Sequence, residues 1–309
     1  MRTATAVSFW LMFTSALLVA VPVNWAQHTI VDADGYAELA RSAGHKPGVR
    51  EATAAVLAER VGAVARDRGF DGGDGVIRQV ASAYTSGPSF PDQFADVNRV
   101  AHQWLFTDNA RQTGQGWQID IAPMLADTSF KASLTQLGVQ VPDTVTVPVI
   151  SNAPNNLKPG LLRPMATWGP WVGIGAAVWA ALTALLTLVL AKSRGKALAG
   201  LGVSALLVGG IGWAGLAIVR GRVDQALAKT NGNVHAIADA LVAQAEDSLQ
   251  QWLTYTLIAG GVLAVAGVLV TVLGASMRRK KPAVSYAPMQ PHGYPPTRPP
   301  MPPTQPPSI

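Results

Sequence analysis

Three polar side chains within one predicted helix are the best candidates for a ligand-binding or metal site. Asn98 and His102 are four residues apart and share a helix face with Arg99 beside them, while Asp92 and Asp96 lie on the preceding turns. The functional interpretation is a ligand contact or a metal pair. The structural one is a solvated face with one polar group that ties the helix to a neighbouring strand. The pattern favours the latter, because a site needs convergent partners that one helix cannot supply.

The rest of the chain offers few residues for catalysis. It contains no cysteine, which excludes disulfides, thiolate nucleophiles and thiolate metal ligands. Its five histidines are scattered without metal-ligand spacing. No nucleophile elbow, phosphate loop, zinc-protease motif or pair of catalytic carboxylates is present. We therefore expect a non-enzymatic protein without catalytic residues, metal or cofactor.

Four uncharged apolar runs predict a mainly α membrane protein. Each is close to the roughly 20 residues that a helix needs to cross hydrocarbon, and helices satisfy their own backbone groups there. A mean hydropathy of +0.23 agrees with this class. The runs are residues 7–26, 167–191, 197–219 and 252–277.

The distribution of charge predicts how these spans are oriented. All 18 acidic residues lie within 27–166 and 220–251, and the other polar segments carry only bases. Lys and Arg stay cytoplasmic during insertion, so we expect a multi-pass plasma-membrane protein with both termini in the cytoplasm. The pI of about 9.8 follows from this orientation and indicates no nucleic-acid partner.

Tryptophan indicates the same topology independently of charge, because indole prefers the headgroup interface. Five tryptophans fall near the predicted outer ends of the spans, at Trp25, Trp168, Trp171, Trp213 and Trp252.

The spans divide the chain into eight segments. Residues 1–26 are an anchor, interpreted as an uncleaved signal because Asn24 is not the small residue that cleavage after Ala26 would need. Residues 27–166 form a small, helix-rich α+β extracytoplasmic domain. The spans 167–191 and 197–219 flank a cytoplasmic loop at 192–196. An extracytoplasmic amphipathic segment at 220–251, which packs under this domain or lies on the outer leaflet, precedes the span 252–277 and the tail 278–309.

Helical spacing followed by alternation predicts the elements of this domain. We expect a short helix capped by Asp34, a longer helix that begins at Pro47, two further helices, and one over 124–137. Alternating apolar residues at 117–121 and 145–149 predict two strands. Asp120 is interpreted as a cap for the helix after Pro123.

No Asp, Glu, Lys, Arg or His occurs inside the four apolar runs, although ion and proton pathways usually need such groups at depth. This argues against transport. Glycines in the runs, such as Gly169, Gly173 and Gly260, fit the small-x-x-x-small rule. We interpret them as packing within the four-helix bundle rather than between copies of the chain.

The C-terminal tail is predicted to be disordered, with polyproline II character, because 11 of residues 282–309 are proline. It either binds a cytosolic partner through its Pro-x-x-Pro steps or only aids solubility. Arg278, Arg279, Lys280 and Lys281 are candidates for contact with anionic lipid headgroups, although a stop-transfer role explains them equally well.

Three short motifs carry a resemblance that covers about residues 1–277. They are VNRVAH at 97–102, IDIAP at 119–123 and LGVQVP at 137–142. The chain resembles a group of actinobacterial (mycobacterial-type) four-span integral membrane proteins with a helical extracytoplasmic domain. Val97 departs from the small residue expected before Asn98. The resemblance implies envelope location and this architecture, and it assigns no catalytic residue.

Together these features favour a non-enzymatic cell-envelope protein. Its outer domain would act as an interaction or scaffold component that meets an envelope protein, a cell-wall component or membrane lipid. The alternatives are an accessory subunit of a transporter or a small permease, and a membrane-anchored enzyme that uses Asn98, Arg99 and His102.

Overall fold

Ten α-helices and two short strands make up the described part of the chain, which is mainly α. The computed structural model describes residues 2–67, 69, 73–107, 118–136, 145–148, 159–191, 193–227 and 232–279. Residues 1–271 form one compact unit. Of the second unit, 272–309, the described residues 272–279 are helical.

The N-terminal helix extends beyond the first apolar run and ends at Asp32, where the next helix begins. Helix α1 spans Arg2–Ala26 and continues as one π-helical stretch, Gln27–Val31. Helix α2 spans Ala33–Gly44, and Asp32 caps it by accepting the backbone N–H groups of Asp34 and Gly35. The predicted cap, Asp34, is therefore wrong by two residues, because Asp32 is the residue with extended backbone at this junction.

Three longer helices follow where apolar spacing predicted them. They are α3 (Pro47–Asp67), α4 (Asp74–Ser86) and α5 (Phe90–Phe106). Proline opens α3 and sits in the first turn of α5, where its missing N–H costs no hydrogen bond.

A two-stranded antiparallel sheet follows in chain order. Strand β1 (Gln118–Asp120) pairs with β2 (Thr146–Pro148), with Ile119 opposite Val147. The Asp120 carboxylate accepts the N–H of Ala122, where helix α6 (Ala122–Leu125) begins, and that of Val145. The prediction that Asp120 caps a helix after Pro123 is therefore wrong in detail: the helix begins at Ala122, its N-cap is Ile121, and Asp120 bonds the first N–H from one residue further back. The helix predicted over 124–137 is instead two, since α7 (Thr128–Gln136) begins after a turn at Ala126.

Four helices are long and apolar enough to cross a membrane. Besides α1, they are α8 (Arg163–Leu190), α9 (Arg194–Leu227) and α10 (Gly232–Arg279). Interhelical bonds join Trp10 to Gly200 and Thr14 to Ser204, so α1 and α9 run in the same direction. Asn24 bonds the carbonyl of Gly173 and Gln27 bonds that of Met165, so α8 runs in the opposite direction.

Residues 220–251 do not form a separate element. Their first part completes α9, and residues from Gly232 onward continue into the fourth apolar run as one 48-residue helix, α10. No glycine or proline interrupts the chain between Asn233 and Ala259, so the helical backbone has no reason to stop where the hydropathy changes.

Helices α9 and α10 pack along a seam of small residues. A Cβ atom placed on Gly202 would lie 2.6 Å from the carbonyl oxygen of Gly260, and one on Gly267 would lie 2.6 Å from that of Gly195. These glycines recur every seven residues on each helix, so backbone meets backbone at successive levels. Two further glycines lie against α1 and its continuation, Gly169 beside Gln27 and Gly173 beside Asn24. Like the seam, these contacts agree with the predicted packing within the bundle.

Helices α2–α7 and the two strands form a helical module with its own apolar core. Phe90, Phe130 and Leu57 are among its fully buried side chains. One face of α10, including Val234, Ile237, Ala240 and Leu241, packs against this core. Lys46 also pairs with Asp247 of α10 at 2.9 Å. The amphipathic segment was predicted either to pack under this domain or to lie on the outer leaflet. In the structure its apolar face packs against the module.

Candidate functional site

An apolar cavity of about 480 Å³ lies between the helical module and the module-facing parts of α9 and α10. This volume is in the usual range for small-molecule sites. Helix α10 contributes one wall, the module supplies most of the rest, and Ile30 and Leu227 come from the continuation of α1 and the end of α9. The lining residues are Ile30, Tyr36, Leu39, Thr53, Val56, Leu57, Phe94, Val97, Asn98, Ala101, Ile121, Met124, Val147, Leu227, Val234, Ile237, Ala238, Leu241, Val242 and Ala245.

The chemistry of this lining is almost entirely aliphatic. It includes no charged residue, and its polar side chains are those of Tyr36, Thr53 and Asn98. Burial raises the pKa of the Tyr36 phenol, which therefore stays neutral. An ionised group placed inside the cavity would have no opposite charge to pair with, so the site suits an uncharged or apolar occupant.

Thr53 stands out among these polar groups. Its side chain is 5% exposed, and its hydroxyl has no hydrogen-bond partner among the described residues. An unmet buried hydroxyl costs about 1–3 kcal/mol, which most folded proteins avoid. The hydroxyl oxygen has almost no accessible surface, so it lies behind the cavity wall rather than facing the cavity.

Asn98, the first of the three predicted site residues, lines this cavity. It is buried, and its side-chain amide donates to the carbonyl oxygen of Phe94 one turn earlier, at 2.8 Å. The amide is therefore held against its own helix, and the residue forms part of the cavity wall.

Arg99 is directed to other partners. Its guanidinium pairs with Asp34 at 3.0 Å and with Asp96 at 2.9 Å, and both carboxylates are well exposed. It joins α5 to the first turn of α2 and is absent from the cavity lining.

His102 ties α5 to the π-helical stretch after α1. Its Nε2–H donates to the carbonyl oxygen of Ile30 at 2.9 Å, and its ring stacks on Phe106 with centroids 4.2 Å apart. Tyr36 covers the ring as well, at 5.1 Å. The structure thus directs Asn98, Arg99 and His102 to three different environments, and it does not bring them together around one point.

Burial lowers the pKa of His102, against the smaller opposing effects of its backbone bonds and of Asp32. A histidine with a depressed folded-state pKa stabilises the fold above the unfolded pKa of about 6.5. That contribution is lost as the pH falls through the lower folded-state value, because the unfolded chain then binds the extra proton.

We therefore expect the melting temperature of the module to fall more steeply below pH 6.5 in the wild type than in His102→Gln. Glutamine can still donate to Ile30 but does not titrate. Thermal unfolding from pH 8 to pH 5 measures both slopes, and equal slopes would show that His102 does not control this dependence.

A second polar cluster joins α9 to α10 beside the cavity. Arg220 pairs with Asp224 at 2.9 Å, with Asp239 at 2.5 Å and with Glu246 at 3.0 Å. The Arg220 and Glu246 side chains are 29% and 23% exposed, so these pairs are partly shielded from water. The cluster holds the module-facing ends of both helices at a fixed separation.

Arg220→Gln should destabilise this part of the protein by about 1–2 kcal/mol, because it leaves three carboxylates close together without their cation. Arg222→Gln, two residues further along and exposed, is the matched control and should change stability by less than about 0.5 kcal/mol. Thermal unfolding of the two variants measures the difference. Equal effects would mean that the cluster does not hold the helices together.

Other predicted features lie partly or wholly outside the described residues. Lys280, Lys281 and the proline-rich tail are in this group, and the side chains of Arg278 and Arg279 are not described. Within the described part of the chain, no group of three His, Asp or Glu side chains could hold a metal ion.

Sequence reasoning missed the cavity and its buried hydroxyl. Thr53 lies in a run of alanine and valine with no motif around it, and only its position on the buried face of α3 could have singled it out. No family model, curated protein or solved structure matches this chain.

Proposed function

We propose that this chain is a non-enzymatic receptor or scaffold of the cell envelope. In this proposal it is a multi-pass plasma-membrane protein with cytoplasmic termini, and the helical module is its small α+β extracytoplasmic domain. The module binds an envelope partner at the membrane surface. The resemblance to actinobacterial four-span proteins agrees with this assignment.

The cavity is the observation that carries the proposal. Its walls come both from the module and from helices that continue into membrane-length apolar segments, as at Ile30 and Ala245. An uncharged, aliphatic chamber favours binding rather than chemistry, because acid–base or nucleophilic catalysis needs ionisable groups within reach of the substrate.

The contacts of the predicted site residues support the same choice. Arg99 is held in two ion pairs, and His102 is held between a backbone carbonyl and two aromatic rings. Each side chain has a structural role that explains its presence. A membrane-anchored enzyme would need these groups to converge on one point.

The short attachment of the module supports a receptor or scaffold. One π-helical stretch and the single extended residue Asp32 connect α1 to α2, and α10 runs as one helix from the module into the fourth apolar segment. A partner that binds the module would therefore be held at a defined distance from the membrane, which is the physical requirement of a scaffold.

Photocrosslinking in native membranes tests the proposal. A photoreactive residue at Val76 or Val100, which are exposed on the module, should give a discrete adduct that contains an extracytoplasmic envelope component. The same residue at Val189, exposed near the end of α8, is the control and should not give that adduct. Absence of any module-specific adduct would contradict the proposal.

Substitution of the predicted site residues separates binding from catalysis. Arg99→Gln and His102→Gln should preserve the module adduct wherever the variant folds. If Arg99→Gln and His102→Gln abolish cellular function without lowering expression or melting temperature, a catalytic role replaces the one proposed.

A further inference from the structure

We propose that the cavity holds the acyl chain of one single-chain phospholipid. This inference rests on the proposed binding function and names the chemical class of its ligand. Three observations lead to it, namely the size of the cavity, the chemistry of its lining and its position.

The size of the cavity matches one chain rather than two. A volume of about 480 Å³ holds roughly 16 groups the size of a water molecule, at about 30 Å³ each, and a methylene group is of similar size. A second acyl chain would remain outside in water, which is unfavourable for every exposed methylene. A diacyl lipid is therefore a poorer occupant than a lipid with one chain.

The lining selects an uncharged aliphatic chain. Leucine, isoleucine, valine and alanine dominate the walls, and none of the lining residues is charged. An esterified chain brings no charge into this chamber, whereas the carboxylate of a free fatty acid would bring an unpaired one.

The position of the cavity brings it close to lipid. Trp25 and Trp252 mark one level of the bundle, since Trp25 bonds Ser248 of α10 and Trp252 stacks on His28. Ile30 and Ala245 lie five and seven residues beyond those tryptophans, which is roughly 8–10 Å of helix. Because indole prefers the headgroup interface, these wall residues lie just beyond it, within reach of an amphiphile that leaves the bilayer.

Titration of the full-length protein with lysophosphatidylcholines of 10 to 18 carbons tests the inference. The protein is kept in digitonin, whose rigid steroid body does not mimic an acyl chain, and native mass spectrometry measures the bound fraction below micellar concentrations. One equivalent should bind. Its affinity should rise by up to about fourfold per methylene and level off near 16 carbons, where the cavity is full.

Two substitutions locate the site. Ala238→Trp fills the cavity from α10 and should weaken binding at least about tenfold, while Ala236→Trp, exposed on the same helix, should leave it unchanged. Thr53→Val keeps the shape of the wall and should raise the melting temperature of the ligand-free protein, because an unmet hydroxyl is replaced by a methyl group.

Several results would overturn the inference. They are binding of many equivalents without a plateau in chain length, equal affinity of Ala238→Trp and Ala236→Trp, and tighter binding of palmitate or dipalmitoyl phosphatidylcholine than of the lysolipid. If Ala238→Trp does not fold, the chain-length series and the comparison with palmitate and dipalmitoyl phosphatidylcholine decide. If the protein binds no lysolipid but still gives the adducts at Val76 and Val100, only the inference about the cavity ligand is rejected. If those adducts are absent, the proposed receptor function is rejected.

Discussion

Gly202→Leu should prevent α9 and α10 from packing together and should remove most of the folded protein from the membrane. The Cβ of any side chain at Gly202 would meet backbone atoms of Gly260 and Ala264, with the Gly260 oxygen at 2.6 Å. Backbone cannot rotate away as a flexible side chain can, so the two helices must separate. We expect a loss of about 3 kcal/mol or more, at the upper end of overpacking effects.

Gly210→Leu is the matched control for this prediction. Gly210 lies on the same helix, but a Cβ there meets no atom within 4 Å among the described residues. Both substitutions gain helix propensity, so their difference isolates the packing term. The monodisperse fraction on size-exclusion chromatography and the melting temperature measure it. Equal behaviour of the two variants would contradict the seam between α9 and α10.

Phe90→Ala should destabilise the helical module by about 3–5 kcal/mol, the usual cost of removing a buried phenylalanine. Phe90 is fully buried at the start of α5. Its ring lies 5.9 Å from that of Tyr84 in an edge-to-face contact and 5.6 Å from that of Phe94. The cavity left by alanine would open beneath Phe94, which lines the binding chamber.

Phe90→Leu, which keeps most of the apolar volume, should cost clearly less than the alanine variant. Thermal unfolding followed by circular dichroism measures both in the full-length protein. Melting temperatures of Phe90→Ala within about 2 °C of the wild type would mean that the aromatic cluster does not stabilise the module.

The membrane-length helices could be predicted because their signal is local. An uncharged apolar run near 20 residues has few alternatives, and four such helices are present in the structure. The strands were predictable from alternation at 117–121 and 145–149, and the described strands lie within those ranges. Glycine spacing also predicted close packing at Gly260, although not which helix would be its partner.

The exact ends of the helices could not be predicted from hydropathy. Composition changes at 251, where charged residues give way to apolar ones, yet α10 continues through this point because its backbone conformation is the same on both sides. The π-helical stretch Gln27–Val31 carries no local signal either. It exists where α1 must connect to α2 while Ile30 accepts the hydrogen bond from His102.

The cavity was unpredictable for a different reason. Its walls combine residues as distant in sequence as Ile30, Val147 and Ala245, and it depends on gaps between packed side chains rather than on any motif. Asn98 was singled out for its polarity beside His102, but its place in the lining follows from the tertiary packing of α5 against α10. Thr53 gave no signal because an unpartnered hydroxyl can be recognised only when its surroundings are known.

The side of the membrane on which the helical module lies decides whether it can meet an envelope partner at all. Single cysteines at Ser89 and Ser285, in a chain without any other cysteine, test this directly. A membrane-impermeant maleimide should label Ser89→Cys in intact spheroplasts and Ser285→Cys only after the membrane is opened. Labelling of Ser285→Cys in intact spheroplasts, with Ser89→Cys protected, would place the module in the cytoplasm and contradict the account.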